Sequence, residues 1–516
     1  MGSGGRVGLA CGLAQPGPAG TFREGDGLRS PLRAARFRTE QSVPFADNRK
    51  MPQHMTLAAM VEEVRARRVS PRELVEAHLR QIEKHNPALN AFVAVLADEA
   101  RARAAAAEAA LSRGDKLGPL HGAPVTIKDS LDIAGLPTLC GSKSRLRHRA
   151  GRDSTAAARL RAAGAIIVGK TNCPEFLMNY ETDNHITGRT NNPWDSDRTA
   201  GGSSGGESAA IAAFCSAGGV GSDGGGSIRA PAHFCGIAGL KPTPGRVPAT
   251  GHYPEIAHPG GLLGVIGPMA RNVRDVRLLF EVLAGHDPFD PFSAPVPLRP
   301  ADPRGVRIGV MEQFPGAPAE AAIGEAVRGA ARLLRQAGFV VEPFTSSVLS
   351  RATEIWEFFF EELPATVMKE VIRNAGDEIH WSGAELFQPF LDRPEPSGKR
   401  TLENLVARDK LRNRLLEEME RFPVLLWPAC GVVAFRHRQR RWETPERTIG
   451  YAEAMAPLTP VNALGLPALA VPIIQTAAGL PAGVQLVGTP YSEELLLAVG
   501  ELLEEARGAF PGPVGY

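Results

Sequence analysis

Two glycine clusters, each ending on or beside serine, lie close together in the chain. The first is GGSSGG at residues 201–206, and the second is GSDGGGS at residues 221–227. Glycine permits positive φ and close backbone approach, so such clusters mark places where main-chain N–H groups face a ligand. The hydroxyl of Ser227 would lie beside several free N–H donors, as an oxyanion hole requires. An isolated GGS is more often a tight turn with a capping serine, but the pair of clusters favours catalysis.

A lysine that could act as a base follows a short apolar segment. Residues 124–128 read PVTIK, which predicts a buried strand with Lys128 at its carboxyl end. Catalytic groups gather at that end of the strands in α/β sheets. A lysine beside Asp129 is more commonly a surface residue in an ion pair. Because side chains of a strand alternate between its faces, Asp129 is expected to point away from Lys128.

Four motifs taken together resemble the amidase signature family of serine hydrolases, which use a Ser–Ser–Lys triad without histidine. They are GAPVTIKD at residues 122–129, GGSSGG at 201–206, GSDGGGSIR at 221–229 and CGIAGLKP at 235–242. One departure is Ala200, where many family members have proline. That difference affects the stiffness of the loop more than its chemistry. The similarity extends over residues 55–510, which implies one domain and not several.

The resemblance assigns a role to each residue of the motifs. Ser227 is the implied nucleophile, Lys128 the base, and Ser203 the serine between them, which in this family typically follows a cis peptide bond. The implied oxyanion donors are the N–H groups of Gly224, Gly225, Gly226 and Ser227. Three further residues are expected to hold the loop in shape: Ser204, Asp223 and Arg229. No metal and no organic cofactor is implied.

Two other motif matches predict different chemistry. GAIIVGKT at residues 164–171 fits the letters of a phosphate-binding loop, but its four central residues are typical of a strand and a predicted helix precedes it. GGSSG at residues 201–205 fits the nucleophile elbow of α/β-hydrolases. That motif needs a preceding buried strand and a partner histidine. His233, His252 and His258 are candidates, but none of them lies in a matching context.

Composition excludes several classes of protein. Of 516 residues, 43% are hydrophobic and 22% charged, which is ordinary for a globular enzyme. The formal net charge is +2, so there is no electrostatic case for nucleic acid as a partner. The six cysteines are scattered without zinc spacing and predict a reduced, cytoplasmic protein. No apolar run reaches the length of a membrane span.

The chain divides into a tail and one large domain. Residues 1–50 show no sustained period and resemble a disordered tail. Residues 51–512 are expected to form an α/β domain whose central mixed β-sheet has helices on both faces, as the resemblance implies. Within it the similarity fades over residues 345–400, where aromatic residues are concentrated. Aromatic residues on helices are usually core, but in this family the variable region tends to line the acyl pocket. They are Trp356, Phe358, Phe359, Phe360, Trp381, Phe387 and Phe390.

The predicted function is hydrolysis of a small-molecule carboxylic amide to an acid and an amine or ammonia, through an acyl-enzyme on Ser227. One alternative is the glutaminase-type subunit of a tRNA-dependent amidotransferase, which has the same triad but passes ammonia to a partner. The sequences flanking the nucleophile resemble fatty-acid-amide-hydrolase-like bacterial amidases more closely. A second alternative is a non-catalytic scaffold, since a fold does not prove activity. Assembly into a homodimer is left open.

Overall fold

The computed structural model describes residues 51–257 and 262–516. The predicted tail, residues 1–50, lies outside this part of the chain. The described residues belong to one compact unit. Their first two α-helices begin at Leu57 and Pro71. The side chain of Ser70 caps the second helix by accepting from the N–H of Glu73, and the carboxylate of Glu73 accepts in turn from the N–H of Ser70.

The strands carry the labels β1 to β15 in chain order. They are β1 (Phe92–Val95), β2 (Pro124–Lys128), β3 (Ile166–Thr171), β4 (Asn191–Asn192), β5 (Asp195–Thr199), β6 (Gly218–Asp223), β7 (Ala238–Lys241), β8 (Val265–Ala270), β9 (Arg307–Val310), β10 (Val340–Pro343), β11 (Val424–Pro428), β12 (Arg441–Glu443), β13 (Thr448–Gly450), β14 (Ala468–Gln475) and β15 (Pro481–Gly488).

The helices are labelled in the same way. They are α1 (Leu57–Arg65), α2 (Pro71–Leu89), α3 (Ala97–Arg113), α4 (Thr155–Ala162), α5 (Gly205–Ala212), α6 (Arg229–Cys235), α7 (Val273–Leu283), α8 (Ala321–Gln336), α9 (Leu349–Glu357), α10 (Leu363–Ala375), α11 (Trp381–Ala384), α12 (Gly398–Met419), α13 (Tyr451–Met455), α14 (Thr459–Ala463) and α15 (Glu493–Arg507). A π-helical turn, Phe358–Glu362, joins α9 to α10. Short 3₁₀ helices lie at Pro52–His54, Lys143–Arg145, Glu175–Leu177, Gly376–Glu378, Glu385–Phe390 and Ala456–Leu458.

Among the described residues, eleven strands form one mixed sheet in the order β1-β3-β2-β6-β8-β7-β14-β15-β11-β9-β10. The strands β3, β2 and β6 are parallel to one another, as are β11, β9 and β10, whereas the strands between β6 and β11 pair antiparallel. The strands β4 and β5, and β12 and β13, form two small antiparallel ribbons.

Helices cover both faces of the sheet, as adjacent residues of β3 demonstrate. Ile167 belongs to one apolar core with residues of α1, α4 and α7. Its neighbours Ile166 and Val168 belong to a second core with residues of α2, α3 and α5. This alternation is what a strand buried on both sides requires. The predicted fold class, a large α/β domain with helices on both faces of a mixed sheet, is confirmed.

The central parallel strands determine where the motifs meet. The strand β2 ends at Lys128 and its parallel neighbour β6 ends at Asp223, so both chain segments leave the sheet at the same edge. The second glycine cluster continues from Asp223 into α6. The first cluster leads into α5, all of whose residues are buried. The sheet therefore brings together motifs that are about a hundred residues apart in the sequence.

One predicted boundary is wrong. The sequence predicts a loop that leads into a strand over residues 86–95, but α2 continues to Leu89 with Pro87 inside it. The side chain of Asn86 accepts the N–H groups of Ala91 and Phe92, which fixes the turn into β1. The helix then ends at Asn90, in the left-handed region. In the described part of the chain, no helix is both long and apolar enough to cross a membrane.

Candidate active site

Lys128 lies at the centre of a group of serines. Its Nζ is within hydrogen-bonding distance of three hydroxyl oxygens: 2.7 Å from Ser203 Oγ, 3.0 Å from Ser204 Oγ and 3.0 Å from Ser222 Oγ. The residue is completely buried, and burial lowers the pKa of its amine to about 8. A neutral amine has one lone pair and can accept a proton from a hydroxyl. Lys128 therefore has the environment that a base requires.

The backbone at Ser203 is held in an uncommon conformation. The peptide bond between Gly202 and Ser203 is cis, the geometry that the family resemblance implies. A Cβ atom on Gly202 would lie 2.4 Å from the carbonyl oxygen of Asn179, so this position admits only glycine. Gly201 has a φ of 85° and packs against Pro231. The glycines of the first cluster therefore allow the loop that carries Ser203 to approach Asn179 and Pro231 closely.

Ser227 ends the second cluster and is 7% exposed. Its carbonyl oxygen accepts the N–H of Ser204 at 3.1 Å, so the two serine segments are in direct backbone contact. Its hydroxyl forms no hydrogen bond with any of the described residues. The structure thus joins Lys128 to Ser203 through their side chains, and Ser203 to Ser227 only through the neighbouring main chain.

Aromatic donors hold two carbonyl groups of the glycine loop. Trp356 Nε1 donates to the carbonyl of Gly224 at 2.8 Å, and Tyr180 Oη donates to the carbonyl of Gly225 at 2.6 Å. In a trans peptide the N–H points opposite to the carbonyl of the same unit. The bond from Trp356 therefore turns the N–H of Gly225 away from Trp356. The bond from Tyr180 likewise turns the N–H of Gly226 away from Tyr180.

The N–H of Gly226 already has an acceptor, because it donates to Asp223 Oδ1 at 2.7 Å. The sequence analysis predicts that this N–H, like those of Gly224, Gly225 and Ser227, donates to an oxyanion. The N–H groups of Gly224, Gly225 and Ser227 donate to no acceptor among the described residues. The structure therefore favours these three as free donors and gives Gly226 a structural role.

A buried ion pair sets the shape of this loop. Arg229 contacts both oxygens of Asp223, with both residues fully buried, and Asp223 also accepts the N–H groups of Gly226 and Ile228. Burial alone would raise the pKa of Asp223, but the guanidinium of Arg229 holds this pKa well below its usual range. The other contacts of the Arg229 guanidinium are the carbonyl of Leu458 and the side chains of Gln485 and Asn462.

The two alternative motif interpretations do not fit the structure. Lys170 lies on the buried strand β3 and pairs with Asp129 at 2.7 Å, so it is not available to phosphate. For the nucleophile elbow, both ring nitrogens of His233 bond to backbone groups, of Val432 and Gly483. His252 bonds to the carbonyl of Pro254. His258 lies outside the described residues.

Three residues near the site were missed by the sequence analysis. Ser222 contacts Lys128 but precedes the glycines that drew attention to the loop. Tyr180 lies in a segment without a recognisable motif. Trp356 was noted only as one of several aromatic residues of the variable region. Its bond to Gly224 joins positions 132 residues apart, which no local pattern can reveal.

Comparisons with known proteins identify the family of this chain. A family model described as Amidase matches residues 73–497. A glutamyl-tRNA(Gln) amidotransferase subunit of Roseiflexus castenholzii is 36% identical over 487 residues, covering 87% of this chain and 95% of that protein. Indoleacetamide hydrolase of Bradyrhizobium diazoefficiens is 34% identical over 454 residues, covering 86% and 85%. The crystal structure of a bacterial aryl acylamidase of the amidase signature family aligns with a TM-score of 0.78 at 29% identity, covering 88% of this chain and 96% of that one.

The chain belongs to the amidase signature family, and the resemblance drawn from its motifs is confirmed. It is an enzyme, a hydrolase that acts on carbon–nitrogen amide bonds.

Proposed function

We propose that this chain is a stand-alone amidase that hydrolyses a small-molecule amide through an acyl-enzyme on Ser227. The observation that carries the proposal is the 2.7 Å contact between Nζ of the buried Lys128 and Oγ of Ser203. It provides an amine of lowered pKa in contact with a serine whose segment adjoins the nucleophile loop. We also propose that the enzyme acts in the cytoplasm. Homodimer formation stays a prediction.

In the proposed mechanism, neutral Lys128 takes the proton of Ser203 as Ser203 takes the proton of Ser227. The Ser227 oxygen attacks the amide carbon, and the carbonyl electrons move to oxygen to form a tetrahedral oxyanion. The proton then returns through Ser203 to the amide nitrogen, the C–N bond breaks, and the amine or ammonia leaves. Water, deprotonated by the same relay, attacks the ester carbon and releases the acid and the free hydroxyl of Ser227.

The relay needs a contact between Ser203 and Ser227 that their present rotamers do not make. A hydroxyl oxygen can move to a new position by rotation about one Cα–Cβ bond. Catalytic hydrogen bonds are often long or absent until substrate binds. The N–H of Ser204 bound to the carbonyl of Ser227 keeps the two segments adjacent, and we propose that side-chain rotation completes the relay when substrate binds.

The proposed oxyanion donors are the N–H groups of Gly224, Gly225 and Ser227. Such donors stabilise the negative charge that develops in the transition state. In another enzyme with an oxyanion hole, loss of one donor lowers kcat by about 10²–10³-fold. We propose that Trp356 keeps the donor of Gly225 in place through its bond to the carbonyl of Gly224. Asp223 and Arg229 would keep the loop rigid from behind. Ser204 and Ser222 would orient the amine of Lys128.

The glutaminase-type subunit of an amidotransferase is a second candidate. It is favoured by one specific observation, the 36% identity to the Roseiflexus amidotransferase subunit over nearly the whole length of that protein. The 34% identity to indoleacetamide hydrolase is of similar size, so these two relatives do not separate the candidates. Co-purification with partner subunits, together with glutaminase activity that depends on them, would decide for the amidotransferase.

A fluorophosphonate probe followed by peptide mass mapping tests the proposal. We expect labelling of the wild type at Ser227 alone, none in Ser227→Ala, and labelling slowed by several orders of magnitude in Lys128→Ala. Lys128→Arg should not rescue the rate, because a guanidinium does not lose its proton in proteins. Ser227→Ala that folds and still turns over amides would refute the proposed nucleophile.

A further inference from the structure

A π-helical turn of the variable region packs against the glycine loop. It spans Phe358–Glu362 and directly follows α9, the helix that contains Trp356. Trp356 and Phe360 are stacked, with ring centroids 4.8 Å apart and an interplanar angle of 19°. Turns of this kind occur frequently at functional sites.

The contacts of these two rings are with the loop itself. A Cβ atom on Gly224 would lie 2.7 Å from Phe360 Cε2, and one on Gly225 would lie 2.4 Å from Trp356 Cζ2. Together with the bond from Trp356 to Gly224, these contacts place the π-helical turn directly beside the proposed oxyanion donors. Residues of the turn are therefore positioned to meet a substrate held at that loop.

Glu361 follows Phe360 in this turn and is only partly exposed. In the described part of the chain, its carboxylate forms neither a hydrogen bond nor an ion pair. Burial, with the nearby charge of Glu357, raises the pKa of Glu361 to about 8. Burial and then the charge of Glu361 raise the pKa of Tyr180, whose hydroxyl holds the carbonyl of Gly225. The carboxylate thus lies within electrostatic range of the loop.

The neighbouring carboxylate of Glu362, in contrast, is paired with a cation. Both oxygens of Glu362 bond to the guanidinium of Arg400 on the other side of the turn. Partly buried carboxylates are normally paired in this way, because an unpaired one loses hydration without compensation. The Glu361 carboxylate is also partly desolvated, but it has no such partner among the described residues. A ligand that brings a positive charge would supply it.

We propose that Glu361 forms a subsite for a protonated amino group, so that the enzyme prefers amides that carry a second, cationic amine. This inference rests on the proposed function, in that it places the amide at the glycine loop. The ammonium would donate to the Glu361 carboxylate, and its alkyl chain would pass along the partly exposed ring of Phe360, which contacts Gly224.

Binding to the Ser227→Ala variant tests the subsite without turnover. Calorimetry compares 4-aminobutanamide, 5-aminopentanamide and 6-aminohexanamide with pentanamide, hexanamide and heptanamide, in which methyl replaces the ammonium. At one chain length or more, we expect the amino amide to bind about tenfold more tightly, as a hydrogen bond between charged groups provides. Glu361→Gln on this background should reduce the ratio to within twofold.

Two further variants control the comparison. Glu354→Gln removes the same charge from an exposed position on α9, where Glu354 pairs with Arg351, and should keep the preference. Glu361→Asp keeps the charge and should keep the sign of the preference, which covers a failure of Glu361→Gln to fold. Equal affinity for both series, no measurable binding of the amino amides at millimolar concentration, or a preference that survives Glu361→Gln would overturn the subsite.

Wild-type hydrolysis separates this inference from the function on which it rests. If the wild type hydrolyses the alkyl amides and the Ser227→Ala variant shows no preference, the amidase assignment stands and the subsite is wrong. If the Ser227→Ala variant discriminates while the wild type hydrolyses no amide and resists the fluorophosphonate probe, the subsite stands and the stand-alone amidase is wrong.

Discussion

Lys128 and Asp129 are adjacent in the sequence, but their side chains serve different sites. Lys128 contacts the serines at the glycine clusters, whereas Asp129 pairs with Lys170 at 2.7 Å. Both acidic and basic members of that pair are buried, each 1% exposed. The alternation of a strand separates the base from the carboxylate next to it in the sequence, which would otherwise stabilise its protonated form. Burial lowers the pKa of the Lys128 amine.

Lys170→Met should destabilise the protein without abolishing catalysis. Removal of one partner from a buried ion pair leaves an uncompensated charge and costs about 3–5 kcal/mol. Chemical denaturation measures this loss, and activity per folded molecule should fall by less than tenfold. Lys143→Met is the matched control, since Lys143 pairs with Glu378 at the surface and should lose less than about 1 kcal/mol. Equal stability of the two variants would contradict the assignment of Lys170.

The pH dependence of kcat/KM should follow the protonation of Lys128. Burial lowers the pKa of this amine to about 8, so the ammonium form predominates below that pH and cannot accept a proton. Activity should therefore rise with pH, with a midpoint near 8, and level off above it. Initial rates with an uncharged amide measure the profile. Lys116→Ala, at an exposed position, should keep the midpoint. An activity that is constant from pH 6 to 10 would exclude Lys128 as the base.

Trp356→Phe should lower kcat by about five- to tenfold with little change in KM. The phenyl ring keeps most of the packing but cannot donate to the carbonyl of Gly224, and one net hydrogen bond is worth about 1 kcal/mol. Steady-state kinetics separate the two parameters. The control is Trp442→Phe, because the buried Nε1 of Trp442 has no partner among the described residues. A rise in KM with unchanged kcat would assign Trp356 to substrate binding and not to the loop.

Arg229→Lys should destabilise the protein and slow catalysis together, although the charge is kept. A lysine cannot reproduce the fork that holds Asp223 and also reaches Leu458 and Gln485. We expect a loss of about 2–4 kcal/mol, because buried acceptors are left without donors. Thermal unfolding and kcat are the measurements. A variant with wild-type unfolding and slow turnover would instead assign Arg229 a direct part in the reaction.

The sequence was most informative where a local pattern has a single physical cause. The segment ending at Lys128 is apolar and short, so it predicted β2, and the face of Asp129 followed from strand geometry. Glycine runs predicted close backbone approach, which the structure shows at Gly202 and Gly225. The family motifs predicted the sheet with helices on both faces. These inferences depend only on residues close together in the chain.

The remaining features depend on contacts between distant segments. The N–H of Gly226 could not be assigned to Asp223 before the turn between them was known. The aromatic residues of the variable region could not be divided into core and site. Phe359 and Phe387 are fully buried in apolar cores, whereas Trp356 belongs to the same core as Phe359 and also reaches the glycine loop. Composition is the same for both groups, so only the three-dimensional structure separates them.

The position of the variable region, outside the strands of the central sheet, has a consequence for substitutions within it. Residues 345–400 connect β10, the last strand at one edge, to α12 and then β11, while the glycine loop follows β6 near the opposite half. This segment meets the loop through a few side chains of one turn and contributes no strand. Substitutions in this segment are therefore expected to alter the surroundings of the glycine loop, while the pairing of β2 with β6, which positions Lys128 beside the loop, stays the same.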